Sequence, residues 1–170
     1  MGVKNIFKRY ELKFMLTTQQ YIQLKELMKK YMQGDEFGKS TICNLYFDTP
    51  DYLLIRHSIE KPVYKEKLRL RSYGTPKNDS TVFAELKKKY KSVVYKRRIG
   101  MSEQDAMKFL CERNPVKDTQ ITREIDYFLD FYNNPKPTVY LSYEREAFFS
   151  KTDSDFRMTF DRNILWRDYD

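Results

Sequence analysis

Four cations occupy every second position of one short stretch of the chain. In VYKEKLRLRSYG, residues 63–74, these cations are Lys65, Lys67, Arg69 and Arg71. Because successive side chains of a β-strand point to opposite faces, a strand here would place all four on one face and its leucines on the other. Arginine and lysine are the side chains that bind phosphate oxygens. The stretch therefore predicts a strand that holds a polyanion.

Other stretches repeat this two-residue spacing of charged and polar side chains. They contain Arg9, Glu11 and Lys13; Glu85, Lys87 and Lys89; Lys96 and Arg98; and Arg157, Thr159 and Asp161. One such strand is typical of a solvated sheet face, but several together would repel one another unless an anion or carboxylates compensated them. If the sheet closed into a barrel, the charged face would become its lumen. Cations in a lumen must hold anions, since buried unpaired charges are costly.

Length and composition limit the classes of protein and partner. The 170 residues fit a single domain, residues 1–170, and 41% hydrophobic with 16% aromatic residues argue against disorder. The net charge of +8 predicts an anionic partner. Nucleic acid is disfavoured because no aromatic stacking pattern accompanies the cations. No apolar run approaches the roughly 18 to 20 residues of a membrane span.

The cysteines and the histidine narrow the chemistry further. Cys43 and Cys111 have no metal-type spacing and no signal peptide is evident, which indicates a reducing, cytoplasmic location. His57 is the only histidine, so most histidine-based catalysis and histidine-rich metal sites are excluded.

Periodicity and cap residues predict the elements that must position the cations. Strands are predicted over residues 8–16, 40–48, 63–74, 81–90, 92–100, 137–149 and 156–166. Helices are predicted over 17–32, 49–59, 102–110 and 119–133. Strands outnumber helices, which favours an α+β fold built around a sheet.

Six motifs resemble, in order, those of the VTC-type polyphosphate polymerase domain. They are RYELKF (9–14), YFDTPD (46–51), KLRLRSYG (67–74), AELKKKYKSVVYKRR (84–98), YEREAF (143–148) and RMTFDRNI (157–164). That domain belongs to the triphosphate tunnel metalloenzymes, which also include CYTH-type enzymes. The resemblance implies an eight-stranded antiparallel β-barrel, a tunnel with helices packed on the outside. It also implies that the tunnel binds a nucleoside triphosphate or polyphosphate, assisted by Mn²⁺ or Mg²⁺.

The resemblance implies a role for each residue that matches a family motif. The catalytic contacts to phosphate would be Lys67, Arg69, Arg71, Lys87, Arg145 and Arg157. Further phosphate-binding residues would be Lys13, Lys65, Lys96, Arg98 and Tyr143. Glu11 and Glu85 are the candidate metal ligands, and the alternative for both is an internal salt bridge to a neighbouring lysine. Asp161 is expected to orient Arg157 or to be a further ligand.

Two departures from the family pattern bear on the metal. Arg9 stands where the CYTH branch has the first of two glutamates, which favours the VTC branch. The family usually continues past the position of Asp170 into a strand with a metal-binding glutamate, which leaves open that a C-terminal strand is missing from this sequence.

The expected activity is a metal-dependent transfer of the γ-phosphate of ATP to a polyphosphate chain. The alternatives are a metal-dependent tri(poly)phosphatase and a non-catalytic polyphosphate-binding module. Expected partners are ATP or another nucleoside triphosphate, polyphosphate or pyrophosphate, and a membrane partner stays open.

Overall fold

One antiparallel sheet organises the fold. The structure, a computed structural model, describes residues 6–114, 117–153 and 155–169, with side chains from residue 10 onward. In these ranges the strands are β1 (Ile6–Arg9), β2 (Met32–Asp48), β3 (Tyr64–Tyr73), β4 (Thr81–Tyr90), β5 (Val93–Ser102), β6 (Lys136–Ser150) and β7 (Arg157–Asp168). Their order across the sheet is β1-β5-β4-β3-β2-β6-β7, and every neighbouring pair is antiparallel.

The sheet is open, with β1 and β7 at its two edges. The predicted α+β fold, an antiparallel sheet with helices packed on it, is confirmed. The predicted closure of eight strands into a barrel is not confirmed, because the described residues form seven strands and the two edge strands are not hydrogen-bonded to each other.

The first predicted strand is shorter than its alternating pattern. The prediction ran over 8–16, but β1 ends at Arg9 and residues 10–17 form no regular secondary structure. Arg9 pairs with Val94, next to the first residue of β5, so the chain beyond Arg9 has no neighbouring strand to bond. The side chain of Arg9 lies outside the described part of the molecule.

Four helices connect these strands in the described residues. They are α1 (Thr18–Met28), α2 (Leu53–Ile59), α3 (Glu103–Glu112) and α4 (Gln120–Phe131). The Thr17 side chain caps α1 in a capping box with Gln20, and Ser102 caps α3. None of these helices combines the length and the apolar composition that a membrane crossing requires.

The helices pack on one side of the sheet, which we call the helix face. Alternate side chains of β3 and β4, such as Leu68 and Leu86, meet the buried side of α3 and α4, including Phe109 and Phe128. A smaller cluster around Phe160 packs α1 against β6 and β7. We call the opposite side, which carries Arg69 and its neighbours, the cationic face. The helices therefore leave the charged side chains on the other side of the sheet.

The packing of α4 predicts a contrast between two adjacent aromatic residues. Phe128 is 2% exposed in the core, whereas Tyr127 is 67% exposed. Phe128→Ala should lower the free energy of unfolding by about 3–5 kcal/mol because it opens a cavity between helix and sheet. Tyr127→Ala should lower it by less than about 1 kcal/mol. Urea unfolding of the two variants measures both values, and equal losses would contradict this packing.

Candidate functional site

Strand register assembles the cationic face. Paired residues of adjacent strands point to the same side of a sheet, so each row across the sheet presents one set of side chains. One row contains Tyr46, Arg69, Glu85 and Arg98, and the next contains Lys67, Lys87 and Lys96. The two-residue spacing in the sequence therefore becomes a continuous surface across β2, β3, β4 and β5.

Glu85 lies at the centre of this surface and is fully buried. Its Oε2 accepts a hydrogen bond from Arg69 Nε at 2.9 Å, and its Oε1 lies 2.7 Å from Lys96 Nζ. Arg71 Nε is 3.9 Å from Oε2. Burial alone would raise the pKa of Glu85, but the charges of Arg69, Arg71 and Lys96 lower it to about 2. Glu85 is therefore a carboxylate at neutral pH, with a cation at each oxygen.

Arg69 is held on two sides. Its Nε and Nη2 contact Glu85 at 2.9 and 2.7 Å, and its Nη1 donates to the Tyr46 hydroxyl at 3.0 Å. Burial opposes the charged form, but Tyr46 and Glu85 outweigh it and raise the pKa of Arg69. A guanidinium has five N–H groups, and these contacts in the described structure use three. One N–H on each terminal nitrogen is left for a ligand oxygen.

Arg71 is fixed in a similar way without a close carboxylate. Its Nε donates to Asn44 Oδ1 at 3.1 Å and its Nη2 donates to the Tyr143 hydroxyl at 3.2 Å. The Asn44 amide in turn donates to the carbonyl of Leu141 at 3.3 Å. Burial, and then the neighbouring Arg69, lower the pKa of Arg71. Tyr143 and Arg71, both predicted to bind phosphate, are thus in contact with each other.

Arg145 extends the surface onto β6 and β7. Its Nε and Nη2 donate to the two oxygens of Asp161 at 2.6 and 2.7 Å, and its guanidinium lies 5.1 Å from the centre of the Tyr143 ring. Of the two roles expected for Asp161, orienting Arg157 is wrong, because Asp161 pairs with Arg145, and a role as a further ligand stays a prediction. Arg157 instead donates to Asp35 at 3.0 Å. It is the first residue of β7, four residues or about 13 Å before Asp161. The structure therefore does not bring Arg157 together with the other predicted site residues.

Lysines dominate one end of the cationic face. Lys87 Nζ donates to Glu11 Oε2 at 2.7 Å, and Lys13 lies 3.8 Å from Glu11 with 80% of its side chain exposed. Lys65 donates to the carbonyl of Ser58 at 2.9 Å. Burial lowers the pKa of Lys65, and the nearby lysines lower it further. Burial is also the main cause of the lowered pKa of Lys67. This end is more open than the arginine end.

Lys96 and Arg98 bring β5 into the site. Burial is the largest influence on Lys96, and together with the charges of Arg71 and Arg69 it outweighs the opposing effect of Glu85. The pKa of Lys96 is therefore lowered to about 8. The guanidinium of Arg98 stacks 4.4 Å from the centre of the Phe83 ring. Both predicted residues thus lie on the cationic face.

The two predicted metal ligands are engaged in ion pairs. Glu11 contacts Lys87, and although burial alone would raise its pKa, the hydrogen bond and charge of Lys87 lower it. Glu85 contacts Arg69 and Lys96. Among the described residues, no three His, Cys, Asp or Glu side chains lie close enough together to hold a metal ion. The salt-bridge alternative is what the structure shows, and metal binding by either glutamate stays a prediction.

Sequence reasoning missed Asn44 and Tyr46 as members of the site. Both lie on the face of β2 that continues the cationic face, and each pairs with an arginine of β3. Burial alone would raise the pKa of Tyr46, but the charge of Arg69 and its hydrogen bond lower it. Asn44 and Tyr46 are two residues apart in NLYFD, which places them on one face of a strand. Because neither is charged, the pattern does not show that cations of a neighbouring strand lie beside them.

Known structures resemble the chain in fold, although their sequences differ from it. No curated protein sequence matches the chain. A candidate adenylate cyclase from Bacillus halodurans matches in structure with a TM-score of 0.52 and 15% identity, over 95% of this chain and 81% of that one. A candidate adenylate cyclase from Vibrio parahaemolyticus gives a TM-score of 0.43 and 12% identity, over 94% and 70%. At these identities the likeness concerns the fold alone.

The family model gives a more specific result than the structural matches. The model of the VTC domain matches residues 8–170, which include the cationic strands and both edges of the sheet. The chain belongs to the VTC domain family.

Proposed function

We propose that the chain binds the phosphates of ATP or polyphosphate on its cationic face and transfers the γ-phosphate of ATP to a polyphosphate chain. The observation that carries this proposal is an excess of preoriented cations on one face. The cations are Lys65, Lys67, Arg69, Arg71, Lys87, Lys89, Lys96, Arg98 and Arg145, facing the carboxylates Glu11, Glu85 and Asp161. A triphosphate or polyphosphate would supply the missing negative charge.

The arrangement suits the demands of phosphoryl transfer. Such reactions ask a protein mainly to position the reacting phosphates and to neutralise their oxygens. Arg69, Arg71 and Arg145 are each held through Nε and at least one terminal nitrogen, and their remaining terminal N–H groups can donate to phosphate oxygens. Fixed guanidinium groups need little reorganisation when the substrate arrives. The more open lysine end can follow the remaining phosphates of a longer chain.

The described residues do not form a metal site of their own. The family resemblance implies Mn²⁺ or Mg²⁺, and Glu11 and Glu85 were the expected ligands. Both oxygens of Glu85 contact cations, and Glu11 is paired with Lys87. In this paired arrangement a divalent ion would have to displace a cation from either glutamate.

A closed eight-stranded tunnel belongs to the proposal. The two unpaired edges, β1 and β7, are where a closing strand would bond. Exposed apolar side chains lie close to both edges: Tyr10, Leu12 and Phe14 follow β1, and Ile164, Leu165 and Trp166 lie in β7. Closure would cover these side chains and exclude water from the cationic face.

Incubation with ATP and Mn²⁺ tests the activity. Long polyphosphate together with ADP would support the polymerase. Free phosphate without polymer would support the tri(poly)phosphatase. Tight binding of polyphosphate without either product would support the non-catalytic binding module, which is consistent with the paired state of both glutamates. A chain that neither binds nor converts these anions would contradict the proposal.

Arg69 and Arg97 lie on opposite sides of the same sheet. Arg69→Ala should weaken binding of tripolyphosphate roughly 10- to 100-fold, because a charge-assisted hydrogen bond contributes about 1.5–3 kcal/mol. Arg97→Ala is the matched control, since Arg97 lies on the helix face 3.2 Å from Glu124. Calorimetric titration measures both affinities. Equal affinities for the two variants would exclude the cationic face as the binding surface.

The affinity for tripolyphosphate should depend on pH through Lys96. Lys96 binds an anion in its protonated form, and its pKa is about 8 in the protein without ligand. Metal-free affinity for tripolyphosphate should therefore fall as the pH rises through about 8, because binding must then restore a proton to Lys96. Lys96→Arg keeps the charge and should make the decline shallower between about pH 7 and 9. An identical decline in the Lys96→Arg variant would contradict this role.

A further inference from the structure

We propose that Glu85 is the resident counter-ion of the cationic face, a positioning residue that holds Arg69 and Lys96 for an incoming anion, and that it is not a metal ligand. The identity of the anion rests on the proposed function above. The ion pairs themselves do not depend on it.

The contacts of Glu85 exclude a divalent metal ion in the arrangement described. The carboxylate is 0% exposed, with Arg69 2.7 Å and Lys96 2.7 Å from its oxygens. A divalent ion could reach these oxygens only by displacing one of the two cations. It would also meet the positive charge of Arg71, 3.9 Å from the carboxylate. Like charges this close oppose metal binding.

A common pattern explains why a carboxylate is placed there. Each of Arg69, Arg71 and Arg145 donates its Nε to the residue directly opposite on a neighbouring strand. The pairs are Arg69–Glu85, Arg71–Asn44 and Arg145–Asp161. The acceptor in each pair holds the Nε–H of the arginine toward the neighbouring strand. The terminal nitrogens are thereby oriented before a ligand binds, and this is the task that we assign to Glu85.

Charge balance gives Glu85 a second effect on the empty protein. Arg69, Arg71 and Lys96 would repel one another in a poorly solvated site if the carboxylate were absent. A bound phosphate chain would supply negative charge to the same cations. Loss of the Glu85 charge should therefore destabilise the empty protein and increase the stabilisation that an anion provides.

The test compares Glu85→Gln with wild type and with a matched control, Glu66→Gln. Glu66 lies on the helix face of β3, where it accepts from Tyr132 at 2.9 Å and lies 3.7 Å from Lys88. The Tm of each full chain is measured at low ionic strength in EDTA, then with tripolyphosphate, and separately with Mn²⁺ alone.

We expect Glu85→Gln to lower the metal-free Tm by roughly 5–15 °C. Tripolyphosphate should then raise its Tm by more than it raises that of wild type. Its effect on Glu66→Gln should equal its effect on wild type, because Glu66 and its cation Lys88 are on the helix face. Mn²⁺ alone should change the Tm of Glu85→Gln and wild type equally.

Several results would overturn the proposal. An unchanged Tm for Glu85→Gln, or a tripolyphosphate response no larger than that of wild type, would exclude the counter-ion role. A stabilisation by Mn²⁺ that wild type shows and Glu85→Gln loses would make Glu85 a metal ligand after all.

A double variant covers the case in which Glu85→Gln does not fold. Glu85→Gln with Lys96→Gln removes a cation together with the carboxylate and should recover part of the lost Tm. A double variant no more stable than Glu85→Gln would contradict the proposal. If wild type itself does not respond to tripolyphosphate, the proposed function fails. The counter-ion role is then judged by the metal-free Tm values and the double variant alone.

Discussion

The structure depends on one electrostatic constraint: cations concentrated on one side of a sheet need acceptors within the sheet. Without a carboxylate beside it, the largely buried guanidinium of Arg69 would be strongly disfavoured, because removing a charge from water costs several kcal/mol. The carboxylate of Glu85, 2.7 Å from Arg69, compensates this cost. Asp161 supplies a carboxylate to Arg145, and the neutral amide of Asn44 supplies Arg71 with a hydrogen-bond acceptor. The charge that remains uncompensated is the charge that a phosphate chain can neutralise.

The helices matter to the site because they occupy only the opposite side of the sheet. Phe109 and Phe128 bury the apolar side of β3 and β4, so the sheet gains its stability without using the cationic face. Glu146 holds α1 on the same side by accepting hydrogen bonds from Tyr21 and Lys25. A fold stabilised from one side can present an energetically unfavourable surface on the other.

The strands and their charged side were predictable because alternation is a local property. Arg69 and Arg71 could be placed on one side of β3 from their spacing alone, and the structure confirms β3 to within one residue at each end. The partners of these arginines were not predictable in the same way. That Glu85 and Asn44 face them depends on the order and register of three strands, which two-residue spacing does not contain. The family motifs supplied residue roles, but the contacts of Glu85 and the ion pair of Arg157 with Asp35 required coordinates.

The end of the first strand shows that a local pattern can predict a strand where none forms. The alternation of charged and apolar residues continues to Phe14, yet the strand ends at Arg9 because no neighbouring strand lies beyond that point. The pattern records which side chains should share a face. It does not record whether a hydrogen-bonding partner is present.

The cross-strand pairs also have a consequence for how the sheet assembles. A slip of one residue between β3 and β4 would place Leu86 opposite Arg69 and turn Glu85 toward the apolar core. A slip of two residues would bring Lys87 opposite Arg69, setting like charges against each other. Both alternatives are penalised far more than a slip in an uncharged sheet would be. The side chains that prepare the surface for an anion thus also select one strand alignment while the chain folds.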